Sequence, residues 1–133
     1  MDNSAFPMTW QRKDARAFVK VGADCIIGHH SHVLQGFELI YNKPVFYSLG
    51  NFCFAPFRAH GTLYEMDSKR HNKSIIVNIM LDEKLNYSFN LTPIEIKNLH
   101  VKIGSLDALK KIEYISSLIS VSYTHLRAHE TKA

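Results

Sequence analysis

Apolar and polar positions along this 133-residue chain repeat at two different periods, and the changes of period mark its elements. Over residues 10–21, Trp10, Ala15, Ala17, Phe18 and Val19 alternate with Arg12, Lys13, Arg16 and Lys20, which predicts an amphipathic helix capped by Thr9. Gly22 follows at a natural C-cap position, and a short apolar run, 25–27, predicts a buried strand. Helix, glycine and strand together form half of an α/β unit. Residues 37–41 and 45–49 read as a hairpin around Asn42-Lys43-Pro44, with the proline kept to the loop. Gly50-Asn51 is a turn signal that would leave the Asn51 carboxamide exposed.

The second half follows the same logic. Residues 55–73 mix Pro56, Gly61 and charges without a period, which predicts a long loop holding solvent-exposed His60 and His71. Strands 74–81 and 87–96 form an antiparallel pair around Asp82 to Asn86, with Pro93 marking a bend or an edge. Residues 99–103 make one more short strand. The stripe Leu106, Leu109, Ile112, Ile115, Leu118 and Ile119 predicts a core-facing helix, with Ser105 as cap and Asp107 in its first turn.

Composition narrows the classes. Apolar content of 46% against 21% charged describes a chain able to build a core, not a disordered one. No apolar run approaches the roughly 18 residues of a membrane-spanning helix. A net charge of +4 is spread along the chain, densest at Lys69-Arg70 and Lys73, and no stacking motif accompanies it, so nucleic acid is not an expected partner. Cys25 and Cys53 sit in apolar runs outside any C-x-x-C spacing and read as small reduced core residues.

The chemistry concentrates in Gly28-His29-His30-Ser31-His32, directly after the apolar strand. In an extended segment, His30 and His32 leave one face, and two imidazoles there can grip one metal ion or each of an adjacent pair. His29 then points the other way, as an acid/base group or a bystander. By ligand count a two-histidine chelate is an incomplete site.

Residues 22–36 and the run Lys43-Pro44-Val45-Phe46-Tyr47-Ser48-Leu49-Gly50-Asn51-Phe52 together resemble the CapA capsule-synthesis family, the poly-γ-glutamate biosynthesis proteins related to calcineurin-like metallophosphoesterases. The resemblance implies an α/β fold, a partial metallophosphoesterase-like β-sandwich flanked by helices, of which this chain is the carboxyl-terminal half. It makes His30 and His32 the metal ligands, His29 a catalytic acid/base candidate and Asn51 a substrate-binding residue. Ser31 departs from the family's usual proline, a change worth about 0.4–1 kcal/mol of loop stiffness. The family's earlier Asp-x-His and Asn-His motifs do not occur here, so Met1 reads as an internal methionine or a truncation point.

The parent would accordingly be a two-metal hydrolase binding divalent ions (Mn, Fe or Zn) and acting in capsule or envelope polymer synthesis, with this chain inactive alone. The alternative is a non-catalytic component of a polymer synthesis and export complex. The expected partners are the missing amino-terminal half of the domain and capsule synthesis or export components, at the cell envelope or membrane. Residues 1–120 form the family-like domain. Residues 121–133, with His125 and His129 four apart, resemble translated adaptor DNA and are expected to be a non-native tail.

Overall fold

The structure is a computed structural model that describes residues 4–65, 69–84 and 86–119. The expected tail, with His125 and His129, lies outside the described residues. The elements run α1 (Thr9–Lys20), β1 (Ile26–Ile27), β2 (Phe37–Ile40), β3 (Lys43–Phe46), β4 (Phe57–Ala59), β5 (Thr62–Tyr64), β6 (Lys73–Leu81), β7 (Tyr87–Lys97), β8 (His100–Ile103) and α2 (Asp107–Ile119). This is a mixed α/β arrangement of two helices and three small sheets, ordered β1-β3-β2, β4-β5 and β6-β7-β8. Among the described residues no helix is long and apolar enough to cross a membrane.

In the first sheet β1 runs parallel to β3 (Ile26 opposite Val45), and β2 runs antiparallel to it (Phe37 opposite Phe46). The hairpin is tighter than expected. Tyr41 and Asn42, both at positive φ, make a two-residue turn, and Pro44 lies inside β3, buried. The strand tolerates it because Ile40 and Lys43 flank the turn as a hydrogen-bonded pair. Pro44 therefore falls at the following non-bonded position opposite Leu39, where β2 needs no N–H from it.

Pro93 corrects the edge expectation in the same way. It sits in the central strand β7 opposite Ile75, whose own N–H turns away from β7 to the Leu49 carbonyl (3.2 Å). Gly104 N–H donates to the Pro93 carbonyl (2.9 Å), so only the reciprocal bond is missing there. The Ile75–Leu49 bond also joins the two three-stranded sheets. Phe37, Phe46 and Phe89 interlock across that junction, with ring centroids 4.7–5.5 Å apart. The core there adds Leu34, Ile75, and Ala108 and Ile112 of α2.

Both helices differ in detail from the sequence pattern. α2 starts at Asp107, so Leu106 and not Ser105 holds the cap position, although the Ser105 Oγ accepts the Asp107 N–H (3.4 Å); Leu106 and Leu118 of the stripe are exposed. Ser116 of α2 is fully buried, and its hydroxyl accepts the N–H of Phe37 (2.8 Å). α1 starts at Thr9, which is therefore helical and not the cap. The Gln11 carboxamide oxygen accepts the Met8 N–H at 2.7 Å instead. Its inward face is Arg12, Ala15 and Val19, whereas Trp10 and Phe18 are 60% and 57% exposed.

Arg12 turns inward because β2 carries a buried acid. Arg12 Nε and Nη2 donate to the two carboxylate oxygens of Glu38 (3.2 and 3.0 Å), and Nη2 also donates to the Ile119 carbonyl of α2 (2.6 Å). The Tyr47 hydroxyl donates to Glu38 Oε1, and Arg16 approaches at 3.7 Å. Burial, reinforced by the carboxylate, raises the Tyr47 phenol above its ordinary range, and the bonds to Glu38 raise Arg12. One carboxylate thus ties α1, β2, the end of β3 and α2 together.

Two outcomes follow. Glu38→Ala should cost about 2–3 kcal/mol in urea unfolding, below the full penalty of a buried pair because Arg12 is partly exposed. The raised Tyr47 phenol gives stability that is complete below the unfolded value of about 10 and is lost as pH rises through the higher folded value. Unfolding midpoints should therefore fall from about pH 10 upward, and Tyr47→Phe should flatten that decline.

Candidate functional site

The histidine loop leaves β1 at Gly28, whose N–H donates to the Phe46 carbonyl (2.7 Å) and continues the parallel pairing by one residue. A Cβ at this position would overlap the Tyr47 carbonyl oxygen, so only glycine lets the two backbones approach this closely. β1 itself is short and half exposed, not the buried strand expected, with Ile27 39% accessible.

Beyond Gly28 the chain is not extended. His30 and His32 both have positive φ (90° and 59°), a conformation that costs non-glycine residues about 1–3 kcal/mol and tends to occur at functional sites. The expected alternation of faces therefore does not apply, yet the loop still brings the two rings together, with centroids 6.2 Å apart at 46°. Ser31, the residue that departs from proline, is buried, and its hydroxyl donates to the Val33 carbonyl (3.0 Å). That local bond stiffens the loop by another means.

The second wall comes from the turn after β3. Gly50 has φ +79°, and a Cβ there would meet Ser74 Oγ at 2.6 Å, so the turn lies directly on β6. The Ser74 hydroxyl donates to the Asn51 backbone carbonyl. Asn51 is buried at 7% exposure, which corrects the exposed carboxamide read from the turn signal: the side chain tucks beneath the histidine loop. Its Oδ1 lies 2.9 Å from His32 Nδ1. A carboxamide oxygen only accepts, so this contact calls for a proton on Nδ1. Among the described residues, Asn51 Nδ2 is buried with no hydrogen-bond partner.

His29, His30, His32, Gly50, Asn51, Phe52 and Cys53 line one open cavity of about 340 Å³. A neighbouring cavity of about 420 Å³ shares His29 and Asn51 and continues along Ser74 to Val77 of β6. All four sequence-predicted site residues therefore meet at one place. Cys53 is exposed in the cavity wall and Cys25 is half-buried, so neither is a core residue. Burial raises the Cys25 thiol.

The sequence also missed Phe54, whose ring meets His32 edge-to-face at 4.9 Å, and the β4-β5 hairpin lying in what reads as a loop. Phe57 and Tyr64, cross-strand partners in that hairpin, stack at 5.1 Å, and Phe54 contacts Phe57 at 6.0 Å. His60 is exposed at the hairpin turn as expected, whereas His71 is buried beside β6, away from these lining residues.

A metal ion is compatible with part of this arrangement. With nitrogen–metal bonds of about 2.0–2.1 Å, two imidazoles on one tetrahedral ion have centroids roughly 5 Å apart. These rings, 6.2 Å apart, would have to close by about 1 Å to share one ion, or would each hold one of an adjacent pair. Among the described residues, no group of three or more His, Cys, Asp or Glu side chains is placed to hold one.

The comparisons bear on the same stretch. A family model described as "Bacterial capsule synthesis protein PGA_cap" matches residues 2–56. The chain is 35% identical over 112 residues to the "PGA biosynthesis protein CapA" of Bacillus subtilis (strain 168), covering 84% of this chain and 27% of that protein. It is 51% identical over 53 residues to the "Capsule biosynthesis protein CapA" of Bacillus anthracis, 40% of this chain and 12% of that one. An uncharacterized protein of Sinorhizobium fredii, y4sH, is 40% identical over 52 residues, 39% of this chain and 11% of that one. The chain thus spans about a quarter or less of the length of these relatives.

If the glycine approach sets the site, Gly28→Ala should cost about 1–3 kcal/mol in thermal or urea unfolding. It should also displace the His32 ring resonances, because the clash with the Tyr47 carbonyl lies at the root of the histidine loop.

Proposed function

We propose that this chain, which matches the bacterial capsule synthesis protein family through residues 2–56, is part of a metal-dependent, phosphoesterase-like protein acting in capsule or poly-γ-glutamate biosynthesis. The observation that carries this reading is the pairing of His30 and His32 at the mouth of one cavity, with His32 fixed through Nδ1 by Asn51.

In this reading His30 and His32 hold divalent metal, of which the whole protein binds two ions (Mn, Fe or Zn). Bound metal would lower the pKa of a water and polarise a phosphoryl oxygen. His29, lining both cavities, is the acid/base group that moves a proton to or from the reacting ester. Asn51 Nδ2, a buried donor without a protein acceptor, takes a substrate oxygen, so the one carboxamide serves ligand and substrate from opposite ends. The 420 Å³ cavity along β6 accommodates the remainder of the substrate. With two ligands, this chain alone binds metal weakly and turns over little. The rest of the domain and the capsule synthesis and export components are its partners, at the cell envelope.

The test is Mn²⁺ titration of the full-length protein carrying this segment, with a chromogenic phosphodiester as substrate. His30→Ala and His32→Ala should each lower metal-dependent turnover on the order of a hundredfold or more. Absence of turnover in the unmodified protein, with polymer output intact in cells, would assign the cavity to a non-catalytic role in a synthesis and export complex.

A further inference from the structure

Two side chains converge on the His32 ring from different segments, and nothing in the proposed chemistry requires either to touch substrate through that contact. Asn51 Oδ1 sits 2.9 Å from Nδ1, at the end of a turn pinned to β6 by Ser74. Phe54 meets the ring edge-to-face at 4.9 Å, with its own ring backed by Phe57, which stacks on Tyr64. We propose that Asn51 and Phe54 are positioning residues that lock His32 as the Nδ1–H tautomer and present Nε2 to the cavity, with the β4-β5 hairpin as the brace behind Phe54.

The argument rests on what each contact fixes. An imidazole attached through one rotatable ring bond can turn over, which puts Cδ2 in place of Nδ1 and Cε1 in place of Nε2. A carboxamide oxygen on Nδ1 selects one tautomer, because the alternative would set two lone pairs against each other. That bond alone leaves the ring free to swing about its hydrogen-bond axis. An aromatic ring packed at 76° to the imidazole removes that freedom, through a contact worth about 0.5–1.5 kcal/mol in pairs of this geometry. Asn51 is 93% removed from solvent, so water does not compete well for its oxygen. His30, by contrast, is exposed. The two histidines are thus held differently, His32 as a set nitrogen and His30 as an adjustable one. The hairpin acquires a purpose that its exposed surface does not otherwise explain.

The inference concerns the orientation of His32 and rests on the metal reading only for what Nε2 then meets. The experiment is long-range ¹H–¹⁵N correlation on the ¹⁵N-histidine-labelled chain, at a pH where the imidazoles are neutral and without metal. His32 should show a protonated Nδ1 and an unprotonated Nε2. Asn51→Asp, which retains an acceptor oxygen, should keep that tautomer, and Asn51→Leu should shift it toward the Nε2–H form.

Phe54→Leu should keep the tautomer but speed exchange of the Nδ1 proton with water, and unchanged exchange would overturn the part assigned to Phe54. An Nε2–H tautomer in the unmodified chain overturns the proposal whether or not any variant folds. Zn²⁺ added afterwards should shift His32 Nε2, with an apparent affinity about tenfold lower in Asn51→Leu. Should Zn²⁺ leave His32 unmoved while the tautomer pattern holds, the positioning role stands and the metal reading falls.

Discussion

The site depends on one hydrogen bond between two loops, from His32 Nδ1 to the Asn51 carboxamide oxygen, across 19 residues of chain. Neither loop reaches this position through its own preference. The histidine loop arrives because Gly28 allows its backbone to lie on the Tyr47 carbonyl, and the asparagine turn arrives because Gly50 allows it to lie on Ser74. A Cβ at Gly28 would overlap the Tyr47 carbonyl oxygen, and one at Gly50 would crowd Ser74 Oγ and the Lys73 carbonyl at a strained positive φ. Two close backbone approaches are thus converted into the placement of one nitrogen.

Those approaches rest in turn on the frame beneath them. Tyr47, whose carbonyl lies against the Cα of Gly28, has its hydroxyl on Glu38, and Glu38 is gripped by Arg12, which also reaches the end of α2. The carboxylate therefore acts at a distance on the histidine loop, through the strand end that carries Tyr47. On the other side, the Leu49–Ile75 bond and the three interlocked phenylalanines fix the second sheet, and with it Ser74, against the first. Buried charge, aromatic packing and glycine clearance meet within a few residues of the cavity.

Much of this was legible in the chain. The long β6–β7 pair and both helices announced themselves by period, and the histidine cluster by density. The features that escaped are those in which one segment answers another. Arg12 reads as a solvent residue until Glu38 is known to be buried opposite it. Asn51 reads as an exposed turn residue until the histidine loop is laid over it. Pro44 reads as a loop residue, and Pro93 as a bend or an edge, because pairing phase, which decides whether a missing N–H matters, is invisible along one strand. The β4-β5 hairpin turns on His60-Gly61, a short-range signal masked by exposed flanks with no apolar alternation. His30 and His32 were paired by an argument from extended geometry. The pairing survives on different grounds, since both residues adopt positive φ.

His30 and His32 open onto one cavity, and the proposal that they bind divalent cation there together is tested most directly by paramagnetic broadening in the chain itself. Substoichiometric Mn²⁺ should broaden the ring signals of His30 and His32 together, before those of His60 and His100. Equal broadening at all four, or loss of one of the pair without the other, would contradict it.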